Sequence, residues 1–339
     1  MYSYFEKICL VQVSTRDQDY IVDPLAIDIT SLEAIFANPA IEKIFHAAEY
    51  DIMSLRRDYG FQFCNLFDSM LAARILGWPK YGLGDILAEH FKVAVNKQFQ
   101  QYNWGMRPLS QEALAYARLD THYLLALRDL QHEALREAGR LEEAAEAFEA
   151  MTYARSALKI FDPADFWRIK GARKLGADQQ ACLQALYIFR DRTARQANRP
   201  PFKIMNASTL VQLARQQPKT LKQLKATKGV GPSFVKRYGR QVIKLLNQPH
   251  EAPTPEQKSG PPRPPDAVLR RYEHLRSWRN EAAQARGVEP DVIFSNDTLL
   301  EIAWANPQTT DELSGQNLMG AWKLQRYAQT ILEQLKECA

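Results

Sequence analysis

Residues 45–76, FHAAEYDIMSLRRDYGFQFCNLFDSMLAARIL, decide the fold of the first half of the chain. The run EKIFHAA, which leads into this stretch, is typical of a buried strand, and Asp51 follows it where a helix begins. The pattern predicts helices over roughly 49–58 and roughly 65–76. Strands mixed with helices in this way predict an α/β sandwich.

The segments on either side extend this prediction. Upstream, KICLVQVS and DYIVDPL are β-rich runs separated by the charged TRDQ, an arrangement that favours a hairpin. Downstream, the stretch from Ser110 to about Asp129 is predicted to be helical, with Ser110 as its N-cap. A long charged helix is predicted to follow, from about residue 131 to about residue 157.

Composition excludes several classes of protein. With 339 residues, 46% of them hydrophobic, the chain is long enough for two or three cores. No run approaches the roughly 18 apolar residues of a membrane helix, and the charged start does not fit a secretory signal. The four cysteines lie far apart without a CxxC pair, which predicts reduced thiols, a cytoplasmic location and no cysteine metal site.

The charge is distributed very unevenly along the chain. Residues 1–166 carry a net charge of −8, residues 167–248 carry +16, and residues 266–339 carry −3. Only Asp178 and Asp191 are acidic in the middle segment. A basic run is often no more than a solvated face, but an excess of this size favours a surface that binds a polyanion, and nucleic acid first of all.

The second half of the chain contains an internal duplication. Residues 247–266 include seven prolines and are predicted to be a linker. On either side of it, the segment from Phe189 aligns without a gap to the segment from Trp278, at an offset of 89 residues. Each copy predicts a helix, a proline-containing loop, two short helices and a final helix. The two copies are therefore tandem all-helical domains, one strongly basic and one mildly acidic.

Candidate catalytic groups lie in the acidic half. Tyr116 and Asp120 are four residues apart on a predicted helix and so share a face. Asp51 stands between a strand and a helix. Carboxylates that meet in a cleft from such positions suit hard cations such as Mg²⁺ or Mn²⁺. The alternative is structural: Asp51 as a helix cap and Tyr116 as a half-buried aromatic.

Several of these stretches, taken together and in order, resemble ribonuclease D over nearly the whole chain. They are HAAEYD, NLFDSMLAARILG, NKQFQQYNWGMRPLS and YARLD, followed by the duplicated helical domains. The resemblance implies a ribonuclease-H-like (DnaQ-like) 3′-5′ exonuclease domain and a pair of HRDC domains, the module named after helicases and RNase D. The implied layout is an exonuclease domain at 1–135, a connecting helix at 136–166, a basic HRDC domain at 167–247, a Pro-rich linker at 248–265 and an HRDC-like domain at 266–339.

The resemblance also implies roles for individual residues, in the tyrosine (DEDDy) subclass of these enzymes. Asp120 would ligate a metal directly, Asp51 would ligate or support a second ion, and Tyr116 would orient the attacking water. The cofactor would be a pair of Mg²⁺ or Mn²⁺ ions. His46 and Asp68 also fall at family-like positions, and we interpret them as a core histidine and as a helix-start or supporting group.

One family motif is missing. The family carries Asp-Thr-Glu on its first strand, whose aspartate bridges both metals, and before Ile8 this chain has only Glu6. We therefore expect the first strand and two carboxylates to be absent, so that the exonuclease domain is N-terminally truncated. The explanations left open are that the chain is a late-called start or a fragment of an active enzyme, or that the nuclease is degenerate.

Residues that contact nucleic acid are predicted in two places. Lys97, Gln101 and Arg107 lie in the stretch between the second and third motifs, where a structural role is equally open. The cations of the basic copy form the other set: Lys222, Lys225, Lys228, Lys236 and Arg237. Within TKGVGPSFVKRYG, Gly229 and Gly231 predict either a turn whose amides meet a phosphate or a simple tight turn.

Together these features predict a monomeric, metal-dependent 3′-5′ exoribonuclease that trims RNA 3′ ends and releases 5′-monophosphates. The resemblance implies tRNA precursors as the substrate class. We expect no interaction with a membrane. The alternative is a catalytically inactive nucleic-acid-binding protein with a degenerate nuclease domain. A helicase accessory fragment is disfavoured, because the chain lacks a GxxxxGK[ST] phosphate loop.

Overall fold

The structure, a computed structural model, describes residues 2–155, 161–251 and 263–338. The chain divides into two compact units, one formed by Met1–Lys7 with Ala157–Gly260 and the other by Ile8–Ser156 with Pro261–Ala339. The first unit holds the basic helical copy. The second unit holds the α/β part together with the second helical copy. Within the described ranges, no helix is both long and apolar enough to cross a membrane.

Four short strands form the β part of the second unit. β1 (Val11–Ser14) and β2 (Asp19–Val22) pair antiparallel, which confirms the predicted hairpin. β3 (Lys43–Phe45) and β4 (Leu66–Asp68) pair parallel, with Ile44 opposite Phe67. The described strands therefore make two separate two-stranded sheets.

The helices of the α/β part are, in chain order, α1 (Glu33–Phe36), α2 (Glu49–Tyr59), α3 (Ser69–Leu76), α4 (Leu83–His90), α5 (Gln111–His122), α6 (Leu124–Glu137) and α7 (Leu141–Met151). The prediction of one helix over 65–76 was wrong at its start. Residues 66–68 are fully buried and pair with β3, and tertiary pairing of that kind outweighs local helix preference.

Two other helix predictions were wrong in their continuity. The long helix expected from 131 to 157 is interrupted between α6 and α7, where Gly139 has a φ of +64° that ends a helical run. The helix expected from 110 to 129 is likewise divided, at Tyr123. Residues 156 and 157 lie outside the described residues.

The core of the α/β part gathers α2, α3 and the inner faces of the strands. Its aromatic centre is Phe36, which lies 5.7 Å from Phe61 and 5.2 Å from Phe63, ring centroid to ring centroid. Ile52 on α2 is completely buried among these side chains. Burying each such side chain stabilises the fold by about 1.5–3 kcal/mol, so the strand-to-helix junction that carries Asp51 is rigidly placed.

The two helical copies repeat the same five helices. The basic copy has α8 (Ala177–Gln196), α9 (Pro201–Ile204), α10 (Ala207–Gln216), α11 (Leu221–Ala226) and α12 (Pro232–Leu246). The second copy has α13 (Asp266–Arg286), α14 (Pro290–Ile293), α15 (Asn296–Ala305), α16 (Thr310–Gly315) and α17 (Ala321–Lys336). The predicted domain boundaries stay predictions, and most of the predicted linker (252–262) lies outside the described residues.

The copies agree in local detail at the 89-residue offset. Gln217 and Asn306 both end a helix in the left-handed conformation, with φ of 42° and 47°. Thr220 and Thr309 both cap the next helix through their side-chain oxygens. The predicted proline loop proves to be the one-turn helix α9 or α14, which begins at a proline because proline lacks the N–H that a first helical turn leaves unbonded.

Within the second unit, the second copy is fastened to the α/β part by charged groups. Arg286 donates to Glu143 on α7 at 2.5 Å, and Glu143 is only 2% exposed. Arg74 on α3 bonds both Glu289 (2.9 Å) and Asp291 (2.6 Å). The buried Arg286–Glu143 pair makes the α/β part and the second copy interdependent, because losing either partner leaves the other charge buried and uncompensated.

Candidate active site

Asp51 lies in the first turn of α2, directly after the β3 junction. Its position depends on Asp68, a fully buried carboxylate at the end of β4. The backbone N–H of Ala48, the residue before α2, donates to Asp68 Oδ2 at 2.6 Å. The N–H of Ala47, which has a φ of 60°, donates to Oδ1 at 3.3 Å. Asp68 therefore fixes the turn from which Asp51 projects.

The same carboxylate also begins the next helix. Asp68 Oδ1 accepts from the N–H groups of Met70 (2.8 Å) and Leu71 (2.9 Å) as the N-cap of α3. Four backbone amides thus converge on one side chain. Sequence reasoning treated Asp68 as a helix-start or supporting group and left it out of the candidate site. The available signal was an aspartate directly before the apolar run SMLAARIL, which is an N-cap pattern.

His46 belongs to this support and not to the reactive groups. Its Nδ1 lies 2.9 Å from Ser69 Oγ, and that hydroxyl donates to the Phe45 carbonyl at 2.9 Å. Burial lowers the pKa of His46, and only the nearby Asp68 carboxylate opposes the shift. The ring therefore stays neutral near pH 7, as expected for a histidine with a packing role.

α5 carries the other two candidate groups. Ser110 Oγ accepts from the N–H of Ala113 at 3.2 Å, which confirms Ser110 as the N-cap. Tyr116 and Asp120 follow one helical turn apart, so their side chains lie on the same face of α5. The Tyr116 ring packs against Phe99 at 5.6 Å and stacks on Trp104 at 6.2 Å. These contacts hold the phenol in one orientation beside Asp120.

The structure brings Asp51, Asp120 and Tyr116 together. Burial and, to a smaller extent, the charge of Asp51 raise the pKa of Asp120 to about 6. Burial also raises the pKa of Asp51 to about 6, with a contribution from the charge of Asp68. The Asp51 side chain is in contact with solvent, although enough protein surrounds it for burial to be the main cause of its raised pKa. The two carboxylates therefore repel each other, and because they are partly buried, water screens this repulsion poorly.

Tyr116 has a pKa raised by burial and by the Asp120 charge. It is therefore a neutral phenol at any physiological pH. Such a group can donate one hydrogen bond and accept another, but it cannot serve as a strong base. Its place beside Asp120 suits the positioning of a water molecule.

Three residues between the second and third motifs were predicted to contact the substrate, and they differ in their surroundings. Arg107 donates to both oxygens of Asp23, at 2.5 and 2.6 Å, and to the carbonyls of Cys9, Trp104 and Met106. Because every nitrogen of its guanidinium already donates, these contacts favour the structural alternative for Arg107. Gln101 is exposed. The side chain of Lys97 lies outside the described residues, so its role stays a prediction.

The predicted cations of the basic copy are all exposed. Lys222 and Lys225 lie on α11, Lys228 lies in the following loop, and Lys236 and Arg237 lie on α12. An excess of exposed cations of this kind suits a polyanionic partner. Their role in binding nucleic acid stays a prediction.

The donor set can be judged against the predicted metal. The charge of Asp51 raises the pKa of Asp120, and two neighbouring carboxylates of this kind fit a divalent cation, which would compensate both charges. Across the described ranges, no group of three or more His, Cys, Asp or Glu side chains is arranged to hold a metal ion. The described residues therefore fit one hard cation held by two carboxylates, and the two-ion arrangement stays a prediction.

Comparisons with known proteins show which domains the chain contains. Residues 1–134 match the family model described as a 3′-5′ exonuclease, and residues 179–246 and 268–335 each match the HRDC domain. The exosome complex component 10 homologue of Caenorhabditis elegans is 31% identical over 298 residues, which are 86% of this chain and 32% of that protein. Ribonuclease D of Acidiphilium cryptum is 29% identical over 269 residues, 78% of this chain and 68% of that protein.

A solved structure extends the likeness in fold. Escherichia coli RNase D, described as an exoribonuclease involved in structured RNA processing, superposes with a TM-score of 0.63 at 24% identity, over 99% of this chain and 90% of that one. The chain spans only about a third of the C. elegans relative, 32% of its length.

The chain therefore consists of a DnaQ-like 3′-5′ exonuclease domain followed by two HRDC domains. Within that class it is a homologue of ribonuclease D and of the exosome component 10 (Rrp6) exonucleases. The predicted fold class and the resemblance to ribonuclease D are confirmed.

Proposed function

We propose that the protein is a metal-dependent 3′-5′ exoribonuclease that trims the 3′ ends of RNA. The observation that carries the proposal is the convergence of Asp51 and Asp120, two carboxylates with pKa values raised to about 6, with the Tyr116 phenol beside them. A cleft that holds two mutually repelling carboxylates is suited to a cation and to the phosphodiester that a cation polarises.

Each residue has a distinct task in this proposal. Asp51 and Asp120 would hold Mg²⁺ or Mn²⁺, which supplies charge stabilisation and an activated water for phosphodiester hydrolysis. Tyr116 positions the attacking water through its neutral hydroxyl. Asp68 keeps Asp51 in place through the Ala48 amide. Hydrolysis from the 3′ end would release nucleoside 5′-monophosphates.

The basic HRDC copy would hold the body of the RNA. Its segment, residues 167–248, carries a net charge of +16, so Lys222, Lys225, Lys228 and Lys236 would bind phosphates without reading sequence. RNA with a 3′ extension, such as a tRNA precursor, is the substrate class that we propose. A monomeric state and a cytoplasmic location are parts of the same proposal.

The test uses a 5′-labelled structured RNA with a single-stranded 3′ tail, with and without Mn²⁺ or Mg²⁺. We expect stepwise shortening from the 3′ end that requires the metal and is abolished by Asp120→Asn. Tyr116→Phe should slow it by about 100-fold, within the range for removing one positioned polar group. Asp85→Asn, an exposed carboxylate on α4, serves as the matched control and should leave the rate unchanged.

A second candidate function is RNA binding without hydrolysis. It is favoured by one observation, that the described residues contain no cluster of three metal-binding side chains. Metal-independent binding with no cleavage at any metal concentration would support it. Cleavage that survives Asp120→Asn would instead indicate a contaminating nuclease and would count against the proposed site.

A further inference from the structure

Residues 2–5, YSYF, belong to the same compact unit as the basic copy and are fastened to it at the corner between α8 and α9. The Tyr4 hydroxyl donates to Asp191 Oδ1 at 2.6 Å, and the Tyr4 N–H donates to Asn198 Oδ1 at 3.1 Å. Asp191 is one of only two acidic residues between 167 and 248. One of the two carboxylates in a strongly basic segment therefore binds this tyrosine.

The other two aromatic rings of the segment face solvent. Phe5 is 58% exposed and Tyr2 is 43% exposed. The Phe5 ring is nevertheless held in place, because it lies edge-on to the Tyr4 ring at 4.7 Å between centroids. The Ser3 hydroxyl also donates to the Phe5 carbonyl, at 2.6 Å, which fixes the backbone there. An exposed ring with a fixed orientation loses little conformational freedom when a ligand packs against it.

Two cations of the corner lie over these rings. The Cζ atom of Arg195 lies 5.6 Å from the centroid of the Tyr4 ring and 5.5 Å from that of the Phe5 ring. The Nζ atom of Lys203 lies 4.3 Å from the centroid of the Tyr2 ring. Both cations are exposed, and so are Phe5 and Tyr2 in spite of these contacts. The corner therefore presents aromatic surface and positive charge side by side.

The helical fold of an HRDC copy does not require the cations of this corner. Four exposed cations lie between residues 192 and 203 of the basic copy, and the positions 89 residues later in the second copy are acidic, polar or apolar. The cations are Arg192, Arg195, Arg199 and Lys203, and their counterparts are Glu281, Gln284, Val288 and Val292. Phe202, next to Lys203 on α9, is also exposed, whereas its counterpart is Asp291. Exposed aromatic residues among cations that the core does not need indicate a binding surface for nucleic acid.

We propose that this corner is a stacking platform for the unpaired bases of single-stranded RNA. Bases stack on the Phe5 and Tyr2 rings, and the neighbouring phosphates pair with the exposed cations of the corner. Aromatic rings on a positive surface bind single strands without reading sequence, because every base has a flat π-face.

The proposal rests on the proposed function, because it assumes that RNA is the ligand of the basic copy. Charge alone would bind paired and unpaired RNA through the same phosphates. The rings add a preference for unpaired RNA, since the bases of a duplex are stacked on each other and cannot lie against a protein side chain.

The test measures the affinity of the full chain for two labelled strands, with EDTA present so that the RNA stays intact. One is an oligoadenylate of about 12 nucleotides, within the usual size of a single-strand site, and the other has the same backbone with abasic residues. Replacing both Tyr2 and Phe5 by Ala should weaken binding of the oligoadenylate by about tenfold or more, as expected for losing at least one stacked base. The slope of log affinity against log salt should not change, because no phosphate contact is removed. Binding of the abasic strand should also stay the same.

Two control variants separate the rings from other effects. Tyr2→Phe combined with Phe5→Tyr keeps both rings and should retain the wild-type affinity for both strands. Tyr20→Ala removes a ring of similar exposure, 46%, from β2 in the other unit, and it should leave both affinities unchanged.

Three results would overturn the stacking platform. They are wild-type affinity of the double Ala variant for the oligoadenylate, an equal loss for both strands, and a gain in affinity, which would mean that residues 2–5 cover the cations of the corner. In each case the proposed function stands as long as replacing the lysines of α11 and α12 weakens binding of both strands. If the wild-type chain binds neither strand, the proposed function itself fails, and the platform fails with it.

Discussion

The two HRDC copies have the same order of helices and differ in the charges on their surfaces. Their N-cap glycines and capping threonines correspond one to one. The basic copy lies in a segment of net charge +16, and the second copy in one of −3. Within its own unit, the second copy binds α7: Arg286 donates to Glu143, and the backbone N–H of Trp322 donates to Glu146. One helical scaffold can therefore serve either intramolecular docking or a polyanion, depending on a few surface residues.

The corner between the long helix and the one-turn helix shows the same divergence. In the second copy, Glu289 and Asp291 receive Arg74 of the exonuclease domain. The equivalent residues of the basic copy are Pro200 and Phe202, and Phe202 is 57% exposed. Because this corner of the basic copy lacks the two carboxylates, it cannot form the equivalent ion pairs with an arginine. The partner that a helical copy contacts therefore depends on surface side chains that lie outside the helical core.

The largest effect should come from the lysines of the basic copy. Replacing Lys222, Lys225, Lys228 and Lys236 by Ala should weaken RNA binding by about 100-fold or more, because each phosphate contact contributes through counterion release. Fluorescence anisotropy over a salt series measures both the affinity and its slope.

The matched control removes four exposed cations from the second copy. The substituted residues are Arg270, Arg276, Arg326 and Lys336, each changed to Ala. The net charge of the chain changes equally in both variants. Equal losses of affinity would show that total charge matters and would contradict the distinction between the two copies.

The next effect concerns docking of the second copy. Arg286 donates to the buried Glu143 and, at 2.7 Å, to the Tyr327 hydroxyl, while the basic copy has Ala197 at this position. Arg286→Ala makes the second copy resemble the first and leaves a buried charge unpaired. We expect a loss of about 3 kcal/mol in the unfolding free energy of this unit, measured by urea denaturation.

A control on the same helix separates docking from helix stability. Among the described residues, Arg276 pairs with the exposed Glu273 one turn earlier, so Arg276→Ala should change the unfolding free energy by less than about 0.5 kcal/mol. Similar losses in the two variants would mean that the Arg286–Glu143 pair has no special importance.

Asp68 tests a carboxylate that serves two helix starts at once. In Asp68→Asn, Oδ1 can still cap α3, but the amide nitrogen that replaces Oδ2 cannot accept from Ala48. We expect a loss of about 1–3 kcal/mol in unfolding free energy from the unbonded buried amide, and weaker Mn²⁺ binding by calorimetry because Asp51 is no longer fixed. Asp28→Asn keeps its backbone bond to Thr30 and should change neither quantity. Unchanged Mn²⁺ binding in Asp68→Asn would contradict the positioning role.

The smallest effect is a dependence of stability on pH. The pKa values of Asp51 and Asp120 are raised to about 6 in the folded protein, above their usual values, so the folded state binds protons more readily than the unfolded one. Their contribution to stability is therefore greatest at low pH and is lost as the pH rises through about 6.

Asp120→Asn removes one of the two repelling charges. It should raise the melting temperature of the metal-free protein by about 2 °C at pH 8 and leave it unchanged near pH 4, where both carboxyl groups are protonated. Differential scanning calorimetry at the two pH values checks this. A lower melting temperature at pH 8 would contradict the repulsion between the carboxylates.

Sequence reasoning succeeded where a feature depends on neighbours along the chain. Ser110 was recognised as a cap and β1 and β2 as a hairpin, because each of these signals lies within a short stretch of sequence. The two copies were recognised because the sequence repeats itself at a constant offset. It failed for β4, since a buried three-residue strand looks like the start of a helix until its partner β3 is known. Arg107 is similar: nothing local reveals that Asp23, 84 residues away, engages its guanidinium.

The sequence by itself determined the order of domains, the charge of each copy and the residue types of the candidate site, because these are properties of the chain's composition and local periodicity. Only the tertiary structure decided which backbone amides are bonded by side chains. It assigned four amides to Asp68, left open space beside Gly231 at the start of α12 and placed Glu146 against Gly320 at the start of α17. These bonds join residues that are far apart in sequence. Glu146 and Trp322, for example, are separated by 176 residues. Gly231 and Gly320 therefore look alike in the sequence and differ only once the chain has folded.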